Sequence, residues 1–469
     1  MRNVLRDHKK FFFGFTLAGL ALRLAFVFRL PQVTYDSEVY ADIAKNWLDH
    51  GIYGLTHAGS VVPTYIRLPG YPAFLAALFA IFGQEHYRTV MLVQVLIDLG
   101  TCFVIADLAR RTISPGGARL AFVFATLNPF LANYAAAVLS ETLEIFFTAL
   151  ALDLVASGLN KLGPAGTDRW IEAGIVIGLA ISLRPDGGLL LAAVLVYMLI
   201  GFARWRERRQ GMWTAVVVVA MALLPAVPWT MRNYLTFHRF EPLVPRYANQ
   251  ENEMVPRGWI RWVKTWMADY VSTEEIYWQV SGDPVDIDDL PARAFDNPAQ
   301  YERTQQLIDE YNQTHVLTPQ LDAQFGELAR ERIRDHPLRY YVWLPLVRLA
   351  DMWLRPRTEL LPNDTRWWEF SQHYRDSIIS VALGALNAFF VAAAIFTTFR
   401  RRHSVVYLGL FVTFIVLRCA LLLTLENPEP RYTLECYPAI LVLAAGAFHR
   451  VSHGLAASES PRLNTAAMR

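Results

Sequence analysis

The sequence predicts an all-α polytopic membrane protein, and three observations carry that expectation: its composition, the recurrence of long apolar runs, and the placement of its basic residues. Of 469 residues, 54% are hydrophobic and only 18% charged, against roughly 25% charged in soluble domains. A spanning helix needs about 20 mostly apolar residues. Runs of that character recur at Phe11–Leu30, Val90–Ala109, Gly117–Ala137, Leu139–Gly158, Trp170–Leu183, Leu189–Ala203, Met212–Met231, Ser377–Phe399, Val405–Leu425 and Leu434–His449, which predicts about ten transmembrane helices. The first run is long, contains Arg23 and lacks a small-residue cleavage site, so it reads as a retained helix. The net charge of +2 says little; where Lys and Arg fall says more. With Arg2, Arg6, Lys9 and Lys10 in the cytoplasm, alternation puts Arg110–Arg111, Lys161 with Arg169, Arg204–Arg209 and Arg400–Arg402 on the same side. Both termini are then cytoplasmic.

That alternation leaves two long outer segments, 31–88 after the first helix and 233–376 after the seventh. It divides the chain into an N-terminal transmembrane module (1–232), an outer-face segment (233–376), C-terminal transmembrane helices (377–450) and a cytoplasmic tail (451–469). In the first outer loop, Val39, Ile43, Trp47 and Leu48 recur at helical spacing opposite Asp42, Lys45 and Asp49, the pattern of an interfacial amphipathic helix that Gly51 ends. Tyr71–Phe82 is too short to span and reads as a second interfacial helix. The outer segment mixes Trp259, Trp262, Trp266 and Trp278 with polar, Pro-broken chain, enough for a partly helical cap. Tyr340–Leu354 is apolar but interrupted by Arg348 and Asp351, and is expected at the interface. The three cysteines, Cys102, Cys419 and Cys436, lie in apolar runs with neither a zinc nor a disulfide spacing.

Ionisable residues at membrane depth are costly and tend to face a cavity or a partner, so their collection at the outer ends of the predicted helices is the main functional signal. Asp36 and Glu38 open the first loop in Tyr35-Asp36-Ser37-Glu38-Val39-Tyr40. There Asp36 or Ser37 either caps the helix or, in the case of Asp36, takes a proton from an attacking hydroxyl. Arg67 precedes the rigid Leu68-Pro69-Gly70-Tyr71-Pro72 and either snorkels or meets a phosphate. Glu141 begins the fourth helix with Glu144 one turn deeper on the same face. Arg184 and Asp186 interrupt an apolar stretch in a turn and either pair locally or face the cavity. Arg232 follows Pro228-Trp229. Glu426, Glu429, Arg431 and Tyr432 form the last outer turn. Several arginines facing one outer cavity imply an anion, since the guanidinium fork donates paired, charge-assisted hydrogen bonds and stays charged. Asp283, Asp286, Asp288 and Asp289 lack cation-loop spacing. The sequons at Asn312 and Asn363 are weak signals.

Taken together, Tyr35-Asp36-Ser37-Glu38, Arg67-Leu68-Pro69-Gly70-Tyr71-Pro72, Ser140-Glu141-Thr142, Arg184-Pro185-Asp186-Gly187, Pro228-Trp229-Thr230-Met231-Arg232-Asn233 and Pro430-Arg431-Tyr432 resemble the GT-C membrane glycosyltransferases, in the branch of aminoarabinose transferases and protein mannosyltransferases. The resemblance implies a multi-pass protein of the cell (inner) membrane. It would transfer a sugar from a polyprenyl- or dolichyl-phosphate donor to a hydroxyl of a lipid, glycan or protein acceptor at the outer face, with the lipid phosphate as leaving group. It implies Asp36 as the acidic residue of the first loop and Arg67 as a holder of the donor phosphate. Glu141 stands where many relatives have aspartate. Arg431 with Tyr432 would complete the phosphate site, and Glu38, Tyr40, Tyr71, Glu144, Arg184, Asp186, Arg232, Glu426 and Glu429 are candidates for the substrate cavity. Phosphate is a good leaving group, so no cofactor or metal is required, although some family members use a cation. Nucleic acid is not an expected partner. A transporter or flippase for a lipid-linked anion would also want such residues, but nearer the midplane and in related halves.

Overall fold

A computed structural model describes residues 1–160, 167–250 and 253–448, apart from 203–207. Lys161, most of the Arg204–Arg209 run, His449 and the expected tail 451–469 lie outside the described residues, as do the side chains of Arg208 and Arg209. The chain is mostly helical; among the described residues the one sheet is a two-stranded antiparallel hairpin, β1 (Gly54–His57) and β2 (Ser60–Pro63). The helices used below are α1 (Lys9–Arg29), α2 (Tyr35–His50), α3 (Gly70–Phe82), α4 (Tyr87–Thr112), α5 (Pro115–Thr126), α6 (Pro129–Ala135), α7 (Glu141–Asn160), α8 (Thr167–Leu183), α9 (Gly188–Phe202), α10 (Arg208–Leu223), α11 (Ala226–Phe237), α12 (Arg257–Lys264), α13 (Pro298–Thr314), α14 (Pro319–Asp335), α15 (Leu344–Leu354), α16 (Tyr374–Arg400), α17 (Leu408–Leu422) and α18 (Tyr437–Phe448).

Helix covers most of every apolar run, but the expected ten uniform spans become a more broken set. Among the described residues four helices are long and apolar enough to cross a membrane, α1, α4, α7 and α16, and a fifth span arises if α10 and α11, bent by 46°, are taken together. The run Gly117–Ala137 is cut in two because the Asn128 side chain accepts from the backbone N–H groups of Phe130 and Leu131 and Pro129 takes the first helical position. That is a helix start placed inside an apolar stretch. The last run begins as 3-10 helix, Pro430–Cys436, before α18. α17 has 15 residues, roughly 22 Å at 1.5 Å per residue, short of a bilayer core of about 30 Å.

The main core joins α4 to α9 with α16 to α18. Of the long helices α7 is the most enclosed. Its first turn, with Glu141 and Glu144, is therefore held by neighbours on every side. The buried Arg23 of α1 is paired: it donates to Asp98 of α4 and to the Thr126 carbonyl, meeting the rule that a buried ion needs a partner. The N-terminal ammonium lies 3.5 Å from Asp107 near Arg110–Arg111, and the Val406 N–H donates to the Thr112 carbonyl. The basic clusters at 2–10, 110–111 and 400–402 thus share one end of the bundle.

At the opposite end sit the loop helices. α2 ends at Gly51, whose φ of 68° is cheap only for glycine, and α3 packs against it. The segment after α11 folds over this end around a core of its own, with Trp259, Trp262, Trp266, Phe325 and Leu328 buried. α12 crosses α14 so closely that a Cβ on Gly258 would lie 1.8 Å from the Asp322 carbonyl oxygen, and the Asp322 carboxylate accepts from the Gly258 and Trp259 N–H groups. The cap is tied to the bundle by Arg366 with Glu275 and by Asp351 accepting from the Tyr270 N–H. Asn312 spends its amide on both backbone groups of Val285, a structural role for one of the sequon asparagines.

Candidate active site

Three strands of chain, distant in sequence, are brought together at the capped end. The stretch before α2 is pinned to the one after α6 by backbone hydrogen bonds between Gln32 and both Ala136 and Val138, which sets the first turn of α2 beside the first turn of α7. Thr34 is the N-cap of α2 and its N–H donates to Ser37 Oγ at 2.9 Å. Ser37, rather than Asp36, thus closes the helix end, and the Asp36 carboxylate is free for other contacts.

Those contacts are two arginines. Arg67 Nη2 donates to Asp36 Oδ1 at 2.8 Å, and Arg431 Nη1, 395 residues further along the chain, donates to Asp36 Oδ2 at 3.1 Å. Burial alone would raise the Asp36 carboxyl, but Arg431 and Arg67 outweigh it and hold it below the usual carboxylate range. Each arginine is itself positioned. The Arg67 carbonyl accepts from the Tyr53 hydroxyl at 2.9 Å, and its guanidinium lies over the Tyr40 ring. Arg431 pairs with Glu429, lies 3.8 Å from Glu141 Oε1 and packs over Tyr432. Arg184 reaches the same Glu141 oxygen at 3.5 Å and also lies near Glu144 and Asp186. Glu141 Oε2 is buried and makes no hydrogen bond among the described residues.

Behind this row stands a support that reading the sequence missed. Arg418 of α17 is buried and joins Asp186 to Glu435 while donating to the Tyr432 carbonyl; it holds the Arg184 turn and the Arg431 turn in one arrangement. A charge within an apolar run was the available signal. The other candidates divide plainly. Glu144, Asp186 and Glu429 belong to the cluster, and Tyr40 supports Arg67. Tyr71 is buried and donates to Gln94. Arg232 donates to the carbonyls of Tyr53 and Thr64 and clasps the first loop. Glu426 faces Arg246 at 3.5 Å, and Glu38 is exposed. Of the predicted site residues only Asp36, Glu429 and Arg431 border the cavity described next.

That cavity, of about 680 Å³, opens between cluster and cap and is bordered by Asp36, Arg431, Glu429, Tyr134 and Glu359 from the bundle side and by Tyr247, Trp259, Tyr270, Glu274, Tyr277 and Trp278 from the cap. Its size and mixture of aromatic walls with a few converging polar groups are those of a small-molecule site. The aromatic wall was not legible beforehand because tertiary folding alone decides which of the cap's many aromatic residues face inward. Among the described residues, no three His, Cys, Asp or Glu side chains form a group that could hold a metal ion.

The sequence pattern of a family described as dolichyl-phosphate-mannose-protein mannosyltransferase matches residues 63–230, the stretch that supplies Arg67, Glu141 and Arg184. No curated protein matches the chain by sequence. In three dimensions it is similar to the oligosaccharyltransferase of Archaeoglobus fulgidus, solved with a tethered acceptor peptide, at 13% identity and a TM-score of 0.51 over 94% of this chain and 49% of that one. The chain shares the fold of the matched half of that enzyme. The same archaeal enzyme, AglB, solved with an inhibitory peptide and a dolichol-phosphate, gives 13% identity and a TM-score of 0.51 over 94% of this chain and 50% of that one. The chain thus spans about half the length of those enzymes. A looser likeness, to ArnT from Cupriavidus metallidurans bound to undecaprenyl phosphate, has 14% identity and a TM-score of 0.43 over 92% and 76% of the two chains.

Proposed function

We propose that this protein is a membrane glycosyltransferase that moves a sugar from a polyprenyl- or dolichyl-phosphate donor to an acceptor hydroxyl, at the outer face of the cell membrane. The observation that carries the reading is the meeting of Arg67 and Arg431 on Asp36 at the edge of an aromatic-walled cavity. Two fixed guanidinium groups suit the phosphate of the carrier, whose negative charge grows as it leaves, and groups already in place stabilise that charge without reorganisation. When the phosphate engages the arginines, Asp36 is released to accept the proton of the attacking hydroxyl. The hydroxyl oxygen bonds to the anomeric carbon, the bond from that carbon to the phosphate oxygen breaks, and the lipid phosphate departs with the electron pair. Charge compensation in this scheme comes from arginine, so a metal is not required.

Orientation follows from the basic clusters. Reporter tags after Arg209 and after Arg402 are expected in the cytoplasm and one near Asp288 outside; a cytoplasmic tag at Asp288 would place the cavity on the wrong side for this reaction. The function itself is tested by mass spectrometry of lipids and glycoconjugates from cells with and without the gene. Accumulation of one polyprenyl-phosphate sugar together with loss of one glycoconjugate is expected. Unchanged pools of both would contradict the assignment.

A further inference from the structure

Besides Asp36, three carboxylates border the cavity, Glu274, Glu359 and Glu429; Glu429 is paired with Arg431, and of the other two Glu359 is the more buried side chain. Glu359 lies in the chain between α15 and α16, its side chain only 6% exposed, and borders the same space as Asp36 and Arg431. Its Oε1 accepts from the Tyr134 hydroxyl at 3.0 Å. Its Oε2 is buried with no hydrogen-bond partner among the described residues. The nearest cation offers little: Arg357 Nη1 is 3.9 Å away, and that guanidinium is already engaged by the Tyr437 hydroxyl, the Pro430 carbonyl and the Thr433 hydroxyl. Arg357 compensates the charge of Glu359 without satisfying it.

A buried carboxylate oxygen lacking a donor costs the full desolvation of that group, so the position calls for a ligand that donates. An ionised carboxylate only accepts; it would repel a phosphate and welcome an O–H. The cavity therefore separates two tasks, with guanidinium groups taking an anion on one side and a carboxylate facing hydroxyls on another, between aromatic walls. We infer that Glu359 reads the sugar of the donor, its carboxylate turning to accept a hydrogen bond from a ring hydroxyl while Tyr134 holds Oε1. The inference rests on the proposed function and names a residue that determines which sugar is held.

The test separates the two claims by using carriers with and without sugar. Purified full-length wild type, Glu359→Gln and Glu359→Ala would be given bare undecaprenyl phosphate and, separately, the polyprenyl-phosphate sugar fraction extracted from membranes of cells lacking the gene, with bound species quantified by native mass spectrometry. All three proteins are expected to bind the bare carrier alike, which also shows that the variants fold. The glycosylated carrier should bind about 10-fold or more weakly to Glu359→Ala, with Glu359→Gln between, because a hydrogen bond to a charged acceptor is worth more than one to a neutral amide. Equal binding of the glycosylated carrier by all three would overturn the inference and leave the proposed function standing. Parallel loss of both carriers would also overturn it, since Glu359 would then act through Arg357 on the phosphate site. Failure of the wild type to bind either carrier would sink the proposed function and the inference with it.

Discussion

Replacing Asp36 by Asn is expected to lower turnover about 10²–10⁴-fold, the range of a positioned general base, while leaving binding of the lipid-phosphate donor intact or tighter. The amide keeps the shape but cannot take a proton, and helix closure is unaffected because Ser37 provides it. Donor binding should not suffer because the carboxylate competes with phosphate for Arg67 and Arg431 in the free protein. The same competition predicts a pH signature. With both arginines on it, Asp36 is held below the usual carboxylate range, so it remains ionised as pH falls through mildly acidic values and the acidic limb of kcat/KM, which reports free enzyme, lies low. Once phosphate draws the arginines away and adds its own negative charge, the carboxyl rises, and the acidic limb of kcat should lie at higher pH than that of kcat/KM. Measured activity of the Asn variant within a few-fold of wild type would remove Asp36 from the chemistry.

Arg431→Ala is expected to cost about 10²–10³ in kcat, as removal of one preorganised donor to a developing anion does, and Arg431→Lys should recover part of the loss, because lysine keeps the charge but not the planar fork. Arg67 should behave alike. The sharper expectation concerns the pair: if both guanidinium groups hold one phosphate, the double variant should be less impaired than the product of the singles, since residues that act as a unit are non-additive. A purified assay in which the two losses simply multiply would show that the arginines serve separate ends. Loss of protein from the membrane with unchanged turnover per folded molecule would reduce them to surface anchors.

What could be read beforehand and what could not follows from how far each feature depends on distant chain. The apolar runs, the stop of α2 at Gly51 and the short α3 are local and were legible from periodicity and turn chemistry. So was the gathering of polar residues at one end, because chain alternation puts helix ends together without knowledge of packing. The cut at Asn128-Pro129 had a local signal too, a cap residue followed by proline, but it was outweighed by the apolar residues on either side. The geometry of Asp36 depended on contacts 31 and 395 residues away, so sequence left open a choice between cap and base; Thr34 and Ser37 supply the cap, and the Asp36 carboxylate pairs with two arginines instead. Arg232 and Glu426 look in sequence like any other polar residue at a helix end, and only folding shows that one clasps backbone and the other faces Arg246. Glu359 was invisible because its role comes from Tyr134, 225 residues earlier, and from a cavity that exists only when the cap closes on the bundle.

The most direct measurement is an experimental structure of the purified protein with undecaprenyl phosphate. The account predicts the phosphate within hydrogen-bonding distance, about 3 Å, of guanidinium nitrogens of both Arg67 and Arg431, with Asp36 freed from at least one of them and facing the cavity that Glu359 borders. A phosphate bound elsewhere, with the Arg67–Asp36–Arg431 contacts unchanged, would contradict it.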